Sequence, residues 1–456
     1  MNEKPPASTI PGSTDDDCPL SVGLQTRNMV CLAGVWCLIY LTAPVSYVGV
    51  THANLLHDLG NSDTLANLPH AVYQWMTALP VLVAWFLPQA RWLKPLLVGS
   101  FAAKAVLTAL VAVAIWLRWP AVVVTATVIL FAGVFGVANG VMLMTLWEVV
   151  RRGVSTARRG VTLALSFGIG PVAACAGSLM QQVLLSREPL TGYSFELSFP
   201  DSYLALFAGA LPFMVLCVFL GAAFHIPPAV DEPVGSSRTA EILGGLRQFV
   251  TSRPIALAAV GYLLVYSGGN AIFDNVSLHA KDVLGDASPD TVGLQNFLRF
   301  GFKAVAGVLL GWLLAKTNPK ATLLATTAIL LAGMAWALNV SGWWYLGTAG
   351  LLGAGELFGA YFPNYVTTAS AKSQVRANIA YLSLLGSLVG FASVIFGQVS
   401  DRFGRIASFH TATGVLIVAM LLILFGLPAR PTPHEEPPPN EKNKKGSGLF
   451  TSTRTP

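Results

Sequence analysis

Charge is what this sequence has least of. Asp, Glu, Lys and Arg make up 11% of its 456 residues, against 54% hydrophobic residues; soluble domains carry about 25% charged residues. So little charge excludes an ordinary soluble enzyme, and apolar runs with short connections leave little room for a catalytic domain. Cysteine is also scarce. Of the five, Cys18 lies in a polar tail, and Cys31, Cys37, Cys175 and Cys217 lie inside apolar runs. An odd count in those places gives neither a disulfide framework nor a metal spacing, and suits small packing residues. The seven histidines are scattered. No His-Glu-x-x-His and no phosphate loop is present, so no cofactor, enzyme activity or nucleotide-driven pumping is expected. The first 27 residues lack the basic start and cleavage site of a signal peptide.

What is present is a series of twelve long apolar runs, at about 28–50, 69–88, 95–117, 121–148, 160–185, 203–225, 254–275, 291–315, 321–338, 343–366, 377–400 and 406–427. Each is near the ~20 residues that cross a bilayer as a helix. With both tails in the cytoplasm, the outer connections hold only Arg118, Arg187, Lys281, Arg402 and Arg405. Lys104, Arg299 and Lys303 fall inside runs, which leaves twenty of the 28 basic residues on the inner side. That asymmetry obeys the positive-inside rule. It also accounts for the net charge of +6 without nucleic acid. The expectation is an all-α, multi-pass protein of the plasma (inner) membrane, monomeric, with its first run acting as an uncleaved anchor.

The longest inner connection, 226–253, divides two groups of six, 28–225 and 254–427, between polar tails at 1–27 and 428–456. Within it, Thr239–Val250 has the pattern of a short amphipathic helix. The two groups repeat one another. An offset of 217 sets Arg159 on Arg376 and Ser166 on Ser383. Repeated halves mark secondary transporters, whose site lies near mid-membrane between the repeats.

At this point the chain resembles the major facilitator superfamily, from about Arg27 to Leu427. The resemblance rests on six plus six runs, a long central inner connection, and an Arg opening runs 5 and 11. The family's inner signature, Gly-x-x-x-Asp-Arg-x-Gly-Arg-Arg in outline, is matched after run 8 by Gly311 to Lys320. There Gly311, Lys316 and Lys320 are kept and Ala315 replaces the Asp. After run 2 the match is weaker, Ala84 to Arg91 and then Lys94. The resemblance implies gating roles for Gly311, Lys316, Lys320, Arg91, Arg159 and Arg376. A cleaner match, Gly397 to Arg405, follows run 11, on the side opposite to the signature's usual place. Gly168-Ile169-Gly170-Pro171 in run 5 partly resembles the family's antiporter motif.

Charge inside a membrane is costly, about 2.5–3.5 kcal/mol on insertion scales, and points to function. Glu356, among Gly353, Gly355 and Gly359, stands about 20 Å into run 10 at 1.5 Å per residue. It suits a proton carrier or a partner for a buried cation. Its counterpart at the 217 offset is Asn139. In run 8, Gln295, Arg299 and Lys303 recur every fourth residue and share a face. That stripe would bind an anionic or carboxylate-bearing substrate, or form an internal network with Glu356. Run 7 carries Tyr262, Tyr266, Asn270 and Asp274 at the same spacing, with Ser267-Gly268-Gly269 weakening the helix. Asp274 joins Glu356 as a proton-coupling candidate. In run 1, Tyr40 is an aromatic contact, Pro44 a kink, and Tyr47 suits the interfacial belt. His70, Gln74 and Thr77 share a face of run 2, with His70 read as structural. Lys104 is expected to snorkel toward the inner surface.

Together these imply a secondary transporter working by alternating access on a small solute, an anionic or carboxylate-bearing substrate or an exported compound, with H+ as coupling ion and the bilayer as surroundings. The alternatives are a sugar or nucleoside symporter or facilitator, or a non-transporting receptor or scaffold on the same fold.

Overall fold

The structure, a computed structural model, describes residues 20–87, 90–186, 197–227, 238–285, 291–370 and 374–431. All twelve apolar runs are helical, and no strand occurs among the described residues. Nine of the described helices are long and apolar enough to cross a membrane. The other three runs are 2 and 10, each broken in two, and 5, whose apolar part is Ile169–Leu185.

The breaks have local causes. Run 1 is helical over Val22–Leu41 and Ala43–Ser46, the second piece opening on Pro44. The chain then turns at Gly49, with φ of 155°, and resumes as Val50–Asp58. A Cβ at Gly49 would stand 2.9 Å from an oxygen of Asp274, so the turn also needs a bare backbone. Run 2 divides between Asp63–Met76 and Pro80–Phe86. Run 7 divides between Arg253–Gly269 and Phe273–Leu284, just past the weak Ser-Gly-Gly segment. Run 10 divides between Gly347–Gly355 and Phe358–Ala369, with Glu356 at the joint. Interrupted helices survive at membrane depth where they face protein or water rather than lipid.

Each half has its own apolar interior. In the first, Phe131 stacks near Phe135 at 4.4 Å between centroids and edge-on to Phe207 at 6.0 Å. The outward faces carry exposed Val122, Phe219, Val308 and Phe425, apolar surface suited to lipid. Between halves there is no comparable hydrophobic drive in a bilayer, so small residues and polar contacts must hold them. Run 11 meets run 2 through Gly390, whose Cα lies against the Ala71 carbonyl; run 8 meets run 5 through Gly293, against the Gln182 backbone. Asn67 donates to Asn275 at 2.6 Å, Asn54 to Ser277 at 2.9 Å, and Asn296 to Gln181 at 2.9 Å. Each such bond contributes about 0.6–2 kcal/mol. The connection between halves forms the helix Arg238–Thr251, packed on run 11 with Phe249 and Tyr381 at 5.5 Å.

Candidate functional site

Between the halves lies a cavity of about 330 Å³, walled by runs 1, 2, 4, 7, 8 and 10. It is a size for a small solute. Its charged floor belongs to the second half. Glu356 sits where run 10 breaks, and Arg299 reaches one carboxylate oxygen across from run 8. Lys303, one turn further, reaches the other at 3.1 Å. Asn270, at the joint of run 7, donates to Glu356 Oε1 at 3.2 Å. Glu356 and Arg299 are buried, while the Lys303 side chain is about a quarter open (23%). One carboxylate against two cations leaves a surplus positive charge in a low-dielectric setting, where electrostatic forces are strong.

Arg299 is further clamped by aromatic rings. Its guanidinium lies 4.2 Å from the Phe273 centroid, and about as close as a cation–π contact requires to Tyr47 at 6.0 Å. Tyr47 and Phe300 meet edge-on at 5.4 Å.

A second polar chain crosses the gap between halves. His70 Nδ1 pairs with Asp274 Oδ2 at 2.9 Å. Gln74 reaches His70 Nε2 at 3.2 Å and donates to the Tyr266 hydroxyl at 3.0 Å. Asp274 Oδ1 is buried and has no hydrogen-bond partner among the described residues. The first half closes the wall with Asn139, whose amide donates to the Tyr73 hydroxyl at 2.9 Å. Lys104 stands behind it, donating to Asn139 Oδ1 at 2.9 Å and lying 5.1 Å from the Phe135 centroid.

Of the residues singled out in the sequence, Tyr40, Asn139, Tyr262, Tyr266, Asn270, Asp274, Arg299, Lys303 and Glu356 all line this cavity. Gln295 does not reach it; its amide turns back to Thr291 at 3.2 Å. Lys104 does not snorkel: it is buried and points at Asn139. Tyr47 lines the cavity rather than an interfacial belt, because the chain breaks at Thr42 and carries it inward. His70 and Gln74 also face the cavity, while Thr77 bonds its own helix at Gln74 O, 2.6 Å. Away from the cavity, Gly311 and Lys316 are exposed, and Lys320 caps the last run by donating to Leu424 O at 2.7 Å. Arg91 is exposed beside the Trp92 ring. The side chains of Arg159 and Arg376 lie outside the described ones. Gly170, in the antiporter-like segment, packs against the Tyr40 ring.

Comparison with known proteins agrees with this architecture. Residues 276–455 match the family model of the Major Facilitator Superfamily. No curated protein sequence matches the chain. Among solved structures, it is similar to a D-xylose-proton symporter, with a TM-score of 0.66 at 14% identity, covering 90% of this chain and 99% of that one. It is also similar to a variant of the nucleoside transporter NupG, at 0.64 and 15% identity, over 88% and 99%. A third is the E. coli fucose:proton symporter FucP, at 0.57 and 13% identity, over 89% and 100%. At such identities the likeness is one of fold. The family model covers residues 276–455, in the second half of the chain, and the solved structures share its helical fold over nearly their whole length.

Proposed function

We propose that this chain is a multi-pass membrane transporter of the major facilitator superfamily, and that it moves a small anionic, carboxylate-bearing solute together with a proton by alternating access around the central cavity. The observation that carries this is Glu356 held by both Arg299 and Lys303. A solute carboxylate entering the cavity competes for the same two cations, since guanidinium binds carboxylates bidentately. Once displaced, Glu356 is a buried carboxylate with its cations engaged elsewhere, and desolvation then favours its protonated form. One anion in therefore brings one proton in, and the cavity keeps its charge. The His70–Asp274 pair, bridging the halves at the cavity wall, is the second group able to carry a proton as the halves rock. The gating residues proposed from the loop signatures, Gly311, Lys316, Lys320, Arg91, Arg159 and Arg376, would act at the inner face, with both termini on that side in the plasma membrane.

The test is uptake of a panel of radiolabelled monocarboxylates and dicarboxylates into proteoliposomes under an imposed pH gradient. Glu356→Gln should still bind anions, with counterflow intact or improved, but a pH gradient should no longer drive accumulation. Gradient-driven uptake by that variant equal to wild type would reject proton carriage by Glu356.

A second reading, a sugar or nucleoside symporter or facilitator, is favoured by the neutral wall. Tyr40, Tyr73, Tyr262 and Tyr266 offer faces and hydroxyls, and Gln74, Asn139 and Asn270 offer amides. Counterflow with pentoses and nucleosides in the same vesicles separates the two.

A further inference from the structure

The segment Gly397–Arg405 looks like the family's gating signature, yet it comes after run 11, at the far end of the bundle from the helix Arg238–Thr251. In the structure it grips the other half. Asp401 sits at the start of helix Asp63–Met76. Its Oδ1 accepts the Asp63 N–H at 2.8 Å, and its Oδ2 accepts the Thr64 N–H at 3.0 Å and the Thr64 hydroxyl. These are N–H groups that a helix start leaves unpaired, at the positive end of its dipole. Gly397 lets run 11 come against the Thr64 backbone, and Gly404, at φ of 83°, turns the chain so that Arg405 joins Asp401 at the same place.

Arg405 uses its whole guanidinium there. Nε and Nη2 each reach Asp63 at 2.8 Å, and Nη1 reaches Asp282 at 2.6 Å and Leu278 O at 3.4 Å. Nη2 also meets His57 Nε2 at 2.9 Å. Around them, Lys281 pairs with Asp58 at 2.6 Å, Tyr203 donates to Asp58 at 3.2 Å, and His279 faces Asp282 at 3.1 Å. His57, Asp58 and Asp63 belong to the first half, and Lys281, Asp282, Asp401 and Arg405 to the second. The contacts therefore span the seam.

Arginine has donors only. His57 Nε2 must accept, so the closed arrangement needs the neutral imidazole. A protonated ring would set a donor against a donor, and a cation against Arg405 with Lys281 nearby, opposed by Asp63 and Asp58.

We propose that this cluster is a latch closing one face of the cavity, and that protonation of His57 releases it. The closed state binds one proton fewer, so it is favoured above the imidazole titration range and lost as pH falls through it. In the orientation proposed above, this is the outer face: outside acidity opens the cavity toward the protons that drive uptake. The inner loops lack the equivalent acid, with Ala315 in the Asp position. The resting protein is thereby biased toward a shut outer face. The latch stands whatever solute the cavity carries.

Spin labels on cysteines at Leu65, in the helix Asp63–Met76, and Phe403, at the end of the helix Val389–Phe403, both exposed at this face, report the gap in nanodiscs, with the native cysteines replaced by Ala. With His57 and the cluster otherwise unchanged, moving from about pH 8 to about pH 5, across the imidazole range, should raise the long-distance fraction severalfold, because burial and the neighbouring Arg405 disfavour the protonated ring in the closed state. His57→Gln keeps an acceptor for Arg405 but does not titrate, and should stay short at both pH values. Asp401→Asn should show the long distance already at high pH. A full pH response in His57→Gln overturns the role of His57. An unchanged distance in the native sequence across pH, or in Asp401→Asn, overturns the latch.

Discussion

Asn139 and Glu356 occupy equivalent places in the two halves, and both reach the cavity. Behind Asn139 stands Lys104, and beside Glu356 stand Arg299 and Lys303. One half thus presents a neutral amide with its cation sealed behind it against Phe135. The other presents the ions themselves to the cavity. The same helix position can hold an amide or an acid, and the choice decides which half carries charge and which carries shape. A moving solute needs one wall whose partners can be exchanged and another that stays fixed.

The contrast is broken most severely at Arg299. Arg299→Gln leaves Glu356 paired with Lys303, so the chain should still fold. The anion then loses its main partner, and losing one member of a buried charge pair costs about 2–5 kcal/mol. Half-saturation for the carboxylate solute in counterflow should rise about a hundredfold. A change below threefold would move substrate binding away from the charged wall.

Next comes an attempt to make the halves alike. Asn139→Asp places a carboxylate against Lys104, so the variant gains a buried ion pair where a lone buried ammonium stood. The thermal midpoint in detergent should rise by a few degrees, about 1 kcal/mol for a membrane protein of this kind. The added negative charge facing the cavity should weaken anion binding about tenfold. Tighter anion binding would mean that the introduced carboxylate does not share the cavity with Arg299.

Much of this contrast is visible in the sequence, because lipid makes buried charge rare enough to stand out. Twelve apolar runs, the repeat, Glu356 and the Arg299–Lys303 pair all derive from that scarcity. Gln295 shows the limit of an every-fourth-residue stripe. Each step of four advances about 40° round the helix, so across two steps the stripe leaves the cavity and Gln295 turns to Thr291. Depth alone misplaces Lys104, because it suggests snorkelling while the acceptor lies on a different run. His70 is invisible as a site residue for the same reason: Asp274 is 204 positions away. Tyr47 escapes a reading based on a kink, because a fully broken helix redirects all the residues beyond the break. The seam cluster has its motif in plain view at Gly397–Arg405, but its partners, His57 and Asp63, sit in a connection with no signature of their own.

A gentler change tests whether the fixed wall is held from behind. Lys104→Met keeps the length and removes the charge. A buried ammonium without a carboxylate partner among the described residues contributes little net stability, so the thermal midpoint should hold or rise. Freed from Lys104, the Asn139 amide can turn and stop presenting its N–H to Tyr73. Transport should fall about threefold, the loss of one ordinary hydrogen bond, with the pH dependence of uptake unchanged. A shift in that pH dependence would instead make Lys104 a proton site.

The smallest effect belongs to the signature-like segment Gly311 to Lys320. Gly311 and Lys316 are exposed, and Lys320 spends its charge on a carbonyl of the last run. With Ala315 in place of the acid, these residues have no carboxylate of their own segment to organise them. A lone exposed Lys–carbonyl bond exchanges readily with water and contributes less than the about 0.5–1.5 kcal/mol of a typical intramolecular bond. Lys320→Ala should therefore change uptake less than twofold, while Arg405→Gln on the opposite face alters the rate of reorientation markedly. Comparable damage from the two substitutions would mean that both faces are gated with equal strength, and the inner loops would then need a partner on another element to supply what Ala315 lacks.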